Sequence, residues 1–160
     1  MKILIAAIGR LKEGGERELV ERYVARFDAA GRAIGLGPIA IVEFPESRKP
    51  DVTQRKAEEA ARLLSATGAA QVRLALDEHG RADTSDAFAR RIGTTRDAGV
   101  QTLALLIGGP DGHGEDVLRV ASSKLSLSAM TLPHGLARVV LTEQLYRAVT
   151  ILSGHPYHRA

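Results

Sequence analysis

The chain has 160 residues, of which 44% are hydrophobic and 26% charged, with a formal net charge of +3 and no cysteine. That length fits one domain, 1–160, with a core of its own, and the lack of thiols excludes disulfides, thiol nucleophiles and cysteine metal sites, making the cytoplasm the expected compartment. No apolar run nears the ~18 residues of a membrane helix, and the small positive surplus permits contact with nucleic-acid phosphates without requiring it.

The first apolar run, Lys2 to Ile8, begins like a secretory signal, but Gly9-Arg10-Leu11-Lys12-Glu13 cuts it short with no small-residue cleavage site, so it reads as a strand. Leu19, Val20, Tyr23, Val24 and Phe27 then recur at helical spacing, predicting a helix over 16–29. Ile39 to Phe44 is a second strand, stopped by Pro45. A helix is expected over 52–65, with Gly68 closing it in the left-handed conformation. Val72 to Leu76 is a third strand, with Asp77 to Gly80 as its exit turn. Asp83-Thr84-Ser85 can cap a helix reaching about Asp97, anchored by Phe88 and Ile92. A fourth strand (102–107), a short helix (115–121), a brief fifth strand (124–127) and a last helix (138–152) complete the chain. The last helix carries a seam of Leu141, Leu145, Ala148, Val149 and Leu152. That seam is expected to pack on the sheet and on a second copy of the chain. Strands alternating with helices give an α/β fold, a mainly parallel five-stranded sheet with helices on both faces. Ligands of such sheets sit beyond the carboxyl ends of the strands, where Leu76, Gly108 and the loop after Leu127 should emerge.

The first strand-to-helix turn has neither the G-x-G-x-x-G of dinucleotide folds nor the G-K-[ST] of a P-loop. The turn Gly108 to Gly114 has glycines but no lysine for a phosphate, which leaves it open between a small-molecule site and a structural turn. His155 and His158 have H-x-x-H spacing interrupted by Pro156 and no third ligand of matching spacing, so no metal site is expected. His79, in a turn, and His113, in a glycine loop, read as solvated. The tail His155-Pro156-Tyr157-His158-Arg159 is either a disordered polar terminus or a set of groups suited to a base, a phosphate or a proton in transit. Arg10, Lys12, Arg48, Lys49, Arg138, Arg147 and Arg159 lie near loop or helix ends where an RNA backbone could be gripped, although exposed arginines are commonly plain surface. Tyr146 and Tyr157 are too few for a broad base-stacking platform.

Four ordered blocks carry a more specific signal: Leu105 to Gly112 (LLIGGPDG), Ser126 to His134 (SLSAMTLPH), Glu143 to Ala148 (EQLYRA) and His155 to Arg159 (HPYHR). Together they closely resemble the bacterial 23S ribosomal RNA pseudouridine N3-methyltransferase family of the SPOUT class, and the resemblance spans the whole chain. Departures are small: Asp111 stands where glutamate is expected, His113 replaces a small or apolar residue, and Ala160 ends the chain where a charged residue is common. The resemblance implies a deep C-terminal trefoil knot, an exception to the general avoidance of knots. It implies S-adenosylmethionine bound bent in that knot, lined by Leu76, Gly108, Leu127, Ser128, Ala129, Met130, Thr131 and Leu132, largely through backbone groups. It further implies a homodimer with active sites at the interface, working on assembled ribosomes and transferring a methyl to N3 of a pseudouridine without a metal. On that basis His155, Tyr157 and His158 are candidates for positioning the base, and Arg10, Arg138 and Arg159 for RNA contact or developing negative charge. The alternatives are a knotted transfer RNA methyltransferase, disfavoured by the HPYHR tail and the lack of a separate RNA-binding extension, and a noncatalytic ribosome-binding factor.

Overall fold

A computed structural model describes the backbone of residues 1–158 and the side chains of residues 1–157. Strands β1 (Lys2–Ile8), β2 (Ile39–Phe44), β3 (Val72–Ala82), β4 (Thr102–Ile107) and β5 (Ser123–Ser126) alternate with helices α1 (Gly15–Gly31), α2 (Val52–Ala66), α3 (Ser85–Asp97), α4 (Glu115–Val120) and α5 (His134–Ser153). The strands form one sheet in the order β2-β1-β4-β3-β5, with every pairing parallel. Parallel pairing requires a crossover between strands, and the crossover helices bury both faces.

Side chains alternate across that sheet and so sort the helices into two layers. Ile3, Ile5, Leu103, Leu105 and Leu74 face Phe27 of α1, Phe88 and Ile92 of α3, and Leu141 and Leu145 of α5. Ala6, Ile8, Ala104, Leu106 and Ala75 face Ala60 and Leu63 of α2 and Val117 of α4. Helix starts follow local chemistry: the Asp51 side chain accepts from the Gln54 N–H, and Thr84 from the Ala87 N–H. None of the described helices is long and apolar enough to cross a membrane.

Four expectations need correction. Gly68 does not adopt positive φ; α2 ends instead at Thr67, whose hydroxyl donates to the Leu63 carbonyl at 2.8 Å. Strand β3 does not stop at Leu76 but runs on through a bulge to Ala82. Helix α5 starts at His134, a full turn before Arg138. Its apolar seam is consumed inside the subunit: Leu141, Leu145, Ala148 and Val149 are fully buried in a single chain, and Leu152 packs on the same core. Burying each of the larger of these side chains contributes about 1.5–3 kcal/mol to the fold, so of the seam only the partly buried Leu152 keeps any surface for a partner.

From β5, at the edge of the sheet beside β3, the chain passes over the carboxyl ends of β3 and β4 to begin α5 next to the end of β1. Helix α5 then runs between α1 and α3. This crossing is compatible with the C-terminal trefoil knot that the resemblance implies.

Candidate active site

A cleft of about 520 Å³ opens beyond the carboxyl ends of β3, β4 and β5. Its floor is the turn after β4. The buried run Leu103 to Ile107 ends at Gly108, and the Gly112 N–H closes the turn by donating to the Gly109 carbonyl at 2.9 Å, with Gly112 at φ 78°. A Cβ on Gly108 would lie 3.0 Å from the Gly112 carbonyl carbon and 3.2 Å from His113 Nδ1. Only a bare backbone fits there without moving the turn. Two contacts hold the turn from behind. Arg55 Nε donates to Asp111 at 2.7 Å, and this bond keeps the Asp111 carboxyl below its usual range. Buried Glu59 accepts from the Ser47 N–H at 2.8 Å while packing against Gly109.

His113 belongs to this wall and is not solvated. It is 5% exposed, and its Nε2 lies 3.0 Å from the Leu76 carbonyl. A carbonyl only accepts, so Nε2 carries the proton. Nδ1 is then an unprotonated nitrogen, buried and without a partner among the described residues. Burial pushes the imidazole pKa down, opposed by the bond to Leu76 and by Asp77.

The outer wall comes from β3. Leu76 and Arg81 both register against Leu125, so residues 77–80 bulge outward between them. Gly80 lets the backbones touch there, since a Cβ would lie 2.7 Å from the Leu125 carbonyl carbon. Arg91 at 2.8 Å and Arg81 at 3.1 Å clamp the buried Asp83 carboxylate and fix the end of the extension. The opposite wall is the loop after β5. Ser126 Oγ donates to the Ser128 carbonyl at 2.8 Å, and the Met130 N–H donates to Ser128 Oγ at 2.9 Å. Of the expected cofactor residues, Leu76, Gly108, Leu127, Ser128, Met130, Thr131 and Leu132 line the cleft together; Ala129 is exposed and does not.

A second cavity, of about 420 Å³, lies on the other side of the first turn of α5, enclosed by the loop Gly9 to Glu16, Glu46 and Gly135. Arg10 lines it and is exposed. Arg138, expected at an RNA surface, is instead 2% exposed. Its guanidinium bonds Glu43 and donates to the carbonyls of Ile8 at 3.1 Å and Gly9 at 2.7 Å. It pins α5 to the ends of β1 and β2, and burial pushes its pKa down against the opposing pull of Glu43.

The tail lies at the far end of α5. The short 3₁₀ turn Pro156–His158 folds back on that helix. The ring of Tyr157 sits 4.7 Å from that of Tyr146 and under the Arg147 guanidinium, and its hydroxyl donates to Glu143 at 3.3 Å. Desolvation first, then the Tyr23 hydroxyl and the Glu143 carboxylate, push the Tyr157 pKa up to about 12. Tyr157 is therefore a hydrogen-bond donor and not a base at physiological pH. His155 is exposed; the His158 side chain and Arg159 lie outside the described residues. A helix the length of α5 puts roughly 28 Å between its two ends, so one chain does not bring the tail to the cleft.

The sequence reading missed His113 as a clamp, His134 at the junction of the cavities, and the third tyrosine, Tyr23, whose ring lies 6.3 Å from Tyr146. A histidine inside an otherwise small-residue turn was the one available signal for His113. The pairing of Arg138 with Glu43 crosses most of the chain and leaves no local trace.

A family model described as "Predicted SPOUT methyltransferase" matches residues 1–158. Two relatives called "Ribosomal RNA large subunit methyltransferase H", from Xanthobacter autotrophicus and Brucella anthropi, are each 49% identical over 160 residues, with 100% of both chains aligned. The structure of a "probable methylase family protein" from Haemophilus influenzae Rd KW20 shares the fold with a TM-score of 0.53 at 12% identity, covering 99% of this chain and 70% of its own. Matched along its length by the family model and aligned end to end with those relatives, the chain belongs to the SPOUT methyltransferase family.

Proposed function

We propose that this chain is an S-adenosylmethionine-dependent methyltransferase of large-subunit ribosomal RNA, working in the cytoplasm on the assembled ribosome and methylating N3 of a pseudouridine. The observation that carries the reading is the cleft: backbone and small side chains from three strand ends, bounded by a loop with free peptide groups. Its volume falls within the range of small-molecule sites. Its lining suits a nucleoside, because Leu76, Ile107, Leu125 and Leu132 give apolar walls beside backbone and short polar groups. The full-length likeness to relatives named as ribosomal RNA methyltransferases supports the RNA substrate.

Leu76, Gly108, Leu127, Ser128, Met130, Thr131 and Leu132 would hold the cofactor. Bound there, S-adenosylmethionine supplies a methyl on a sulfonium, a leaving group that needs no metal. The work left to the protein is alignment of nucleophile and methyl, exclusion of water and removal of the N3 proton. Tyr157, held protonated, donates to a base edge or a phosphate, and His155, His158, Arg10 and Arg159 serve the RNA side. Because the tail and the cleft lie at opposite ends of α5, the working unit is a homodimer in which the partner's tail faces the cleft.

Calorimetry and mass spectrometry test the reading. The wild-type protein should bind S-adenosylmethionine, and folded Gly108→Val should not. Large-subunit RNA from cells lacking the protein should lack one methyl on a pseudouridine, restored by incubating their ribosomes with the enzyme and cofactor. Failure of the wild type to bind the cofactor would favour a noncatalytic ribosome-binding factor.

A further inference from the structure

The first turn of α5 is the wall between the two cavities. Gly135 faces the second cavity, Ala137 faces the cofactor cleft, and His134 lines both. Gly135 is buried with the carboxylate of Glu16 lying directly against its Cα. His134 is partly exposed, and its ring makes no hydrogen bond to any described residue. Methyl transfer needs the reacting base to meet the cofactor where the two spaces join. The side chain at that junction is the one placed to touch both.

We propose that His134 is the catalytic base of this enzyme, accepting the N3 proton of a uracil-type base that enters the second cavity; this rests on the cleft being the S-adenosylmethionine site. Within one chain, the other titratable side chains facing the cleft are already committed or face away from the junction. Asp111 is paired with Arg55, and His113 is buried with Nε2 bonded to Leu76. Asp77 accepts from the His79 N–H at 2.8 Å, and Glu78 and His79 pair at 3.5 Å on the exposed bulge. Lys56 and Lys124 offer donors and not acceptors. On the other side, Glu13, Glu16 and Glu46 line the second cavity but not the cleft. Those carboxylates, with Arg10 and Lys12, offer acceptors and donors for the other edge of a base with two N–H groups and two carbonyls. The proton balance is closed. The N3–H bond breaks and its proton passes to an imidazole ring nitrogen. The freed N3 pair takes the methyl, the methyl–sulfur pair stays on sulfur, and His134 returns the proton to solvent.

The test compares wild type, His134→Ala and His134→Gln in three measurements: single-turnover methyl transfer to purified ribosomes, calorimetric affinity for S-adenosylmethionine, and cosedimentation with ribosomes. Both variants should lose on the order of 10²-fold or more in rate, while cofactor affinity and ribosome binding stay within about 2-fold of wild type. Free imidazole should restore part of the rate to His134→Ala. A rate within about 3-fold of wild type would overturn the assignment. So would a matching loss of cofactor affinity, which would make His134 a plain wall of the cleft, or a matching loss of ribosome binding, which would make it a docking residue. If one variant misfolds, the other carries the comparison. A wild type that transfers no methyl would instead remove the proposed function itself.

Discussion

The His113 imidazole bonds Leu76 through one nitrogen and is buried without a partner at the other. Its position makes the cleft sensitive to acid. Burial lowers its folded pKa, Asp77 pulling the other way and Lys56 reinforcing the shift, while the unfolded chain titrates near 6.5. Above the unfolded value the ring is neutral in both states and its contribution is fully present. As pH falls below it, the unfolded chain takes up a proton first, and stability is lost progressively toward the depressed folded pKa. We expect the thermal midpoint of the wild type to fall more steeply than that of His113→Leu between about pH 7.5 and about pH 5.5, as read by circular dichroism. Equal slopes would mean that another group titrates. Tyr157 makes the opposite case at the same scale. Its pKa, pushed up to about 12, keeps the phenol protonated, and no activity limb at neutral pH should be traced to it.

Helix α5 owes its position to one buried guanidinium. Arg138 ties the helix to Glu43 on β2 and to two carbonyls at the end of β1. Replacing it with methionine leaves two peptide oxygens unpaired and Glu43 with only the Leu11 N–H and a distant Arg17, which should cost about 3 kcal/mol in urea unfolding. Adding Glu43→Gln should recover part of that loss by removing a charge that has lost its strongest partner. A cost under about 1 kcal/mol for the single variant would return Arg138 to the surface role its sequence position suggests. Strands β1, β2 and β4 were legible because each is an apolar run bounded by glycine, proline or polar residues, and their observed bounds match the reading. The end of β3 was not. Asp77-Glu78-His79-Gly80 is polar and turn-like, and only its pairing with β5 makes it strand. The first turn of α5 was hidden for a related reason: Pro133 and Gly135 read locally as loop, while in the fold proline sits at the helix entry and glycine packs against Glu16. The walls of the cleft were visible as an apolar strand running into glycine. The junction at His134 depends on two cavities meeting in space, which no spacing encodes.

In the whole molecule, the cofactor cleft and the described tail residues His155 and Tyr157 lie at opposite ends of α5, roughly 28 Å apart along its axis. The proposed homodimer would resolve this separation, because two-fold pairing places the same surface of both copies in contact and can bring each tail to the other copy's cleft. Most of the apolar seam of α5 is buried inside the subunit, so for the homodimer we propose the candidate contact is the half-exposed rim of α1 and α5. There Tyr23, Tyr146 and Tyr157 stack in a row with Arg26 and Arg147 over their rings. Complementation separates this arrangement from a site built within one chain. Gly108→Val should destroy the cleft but leave the tail, and deletion of residues 155–160 should do the reverse, so each homodimer should be inactive on ribosomes. Random remixing makes about half of all dimers mixed, and each mixed dimer pairs an intact cleft with an intact tail once. About a quarter of wild-type activity should therefore return. If each chain used its own tail, the mixture would stay inactive. If the deletion alone kept full activity, the tail would be an inert terminus and the rim of tyrosines would need another occupant.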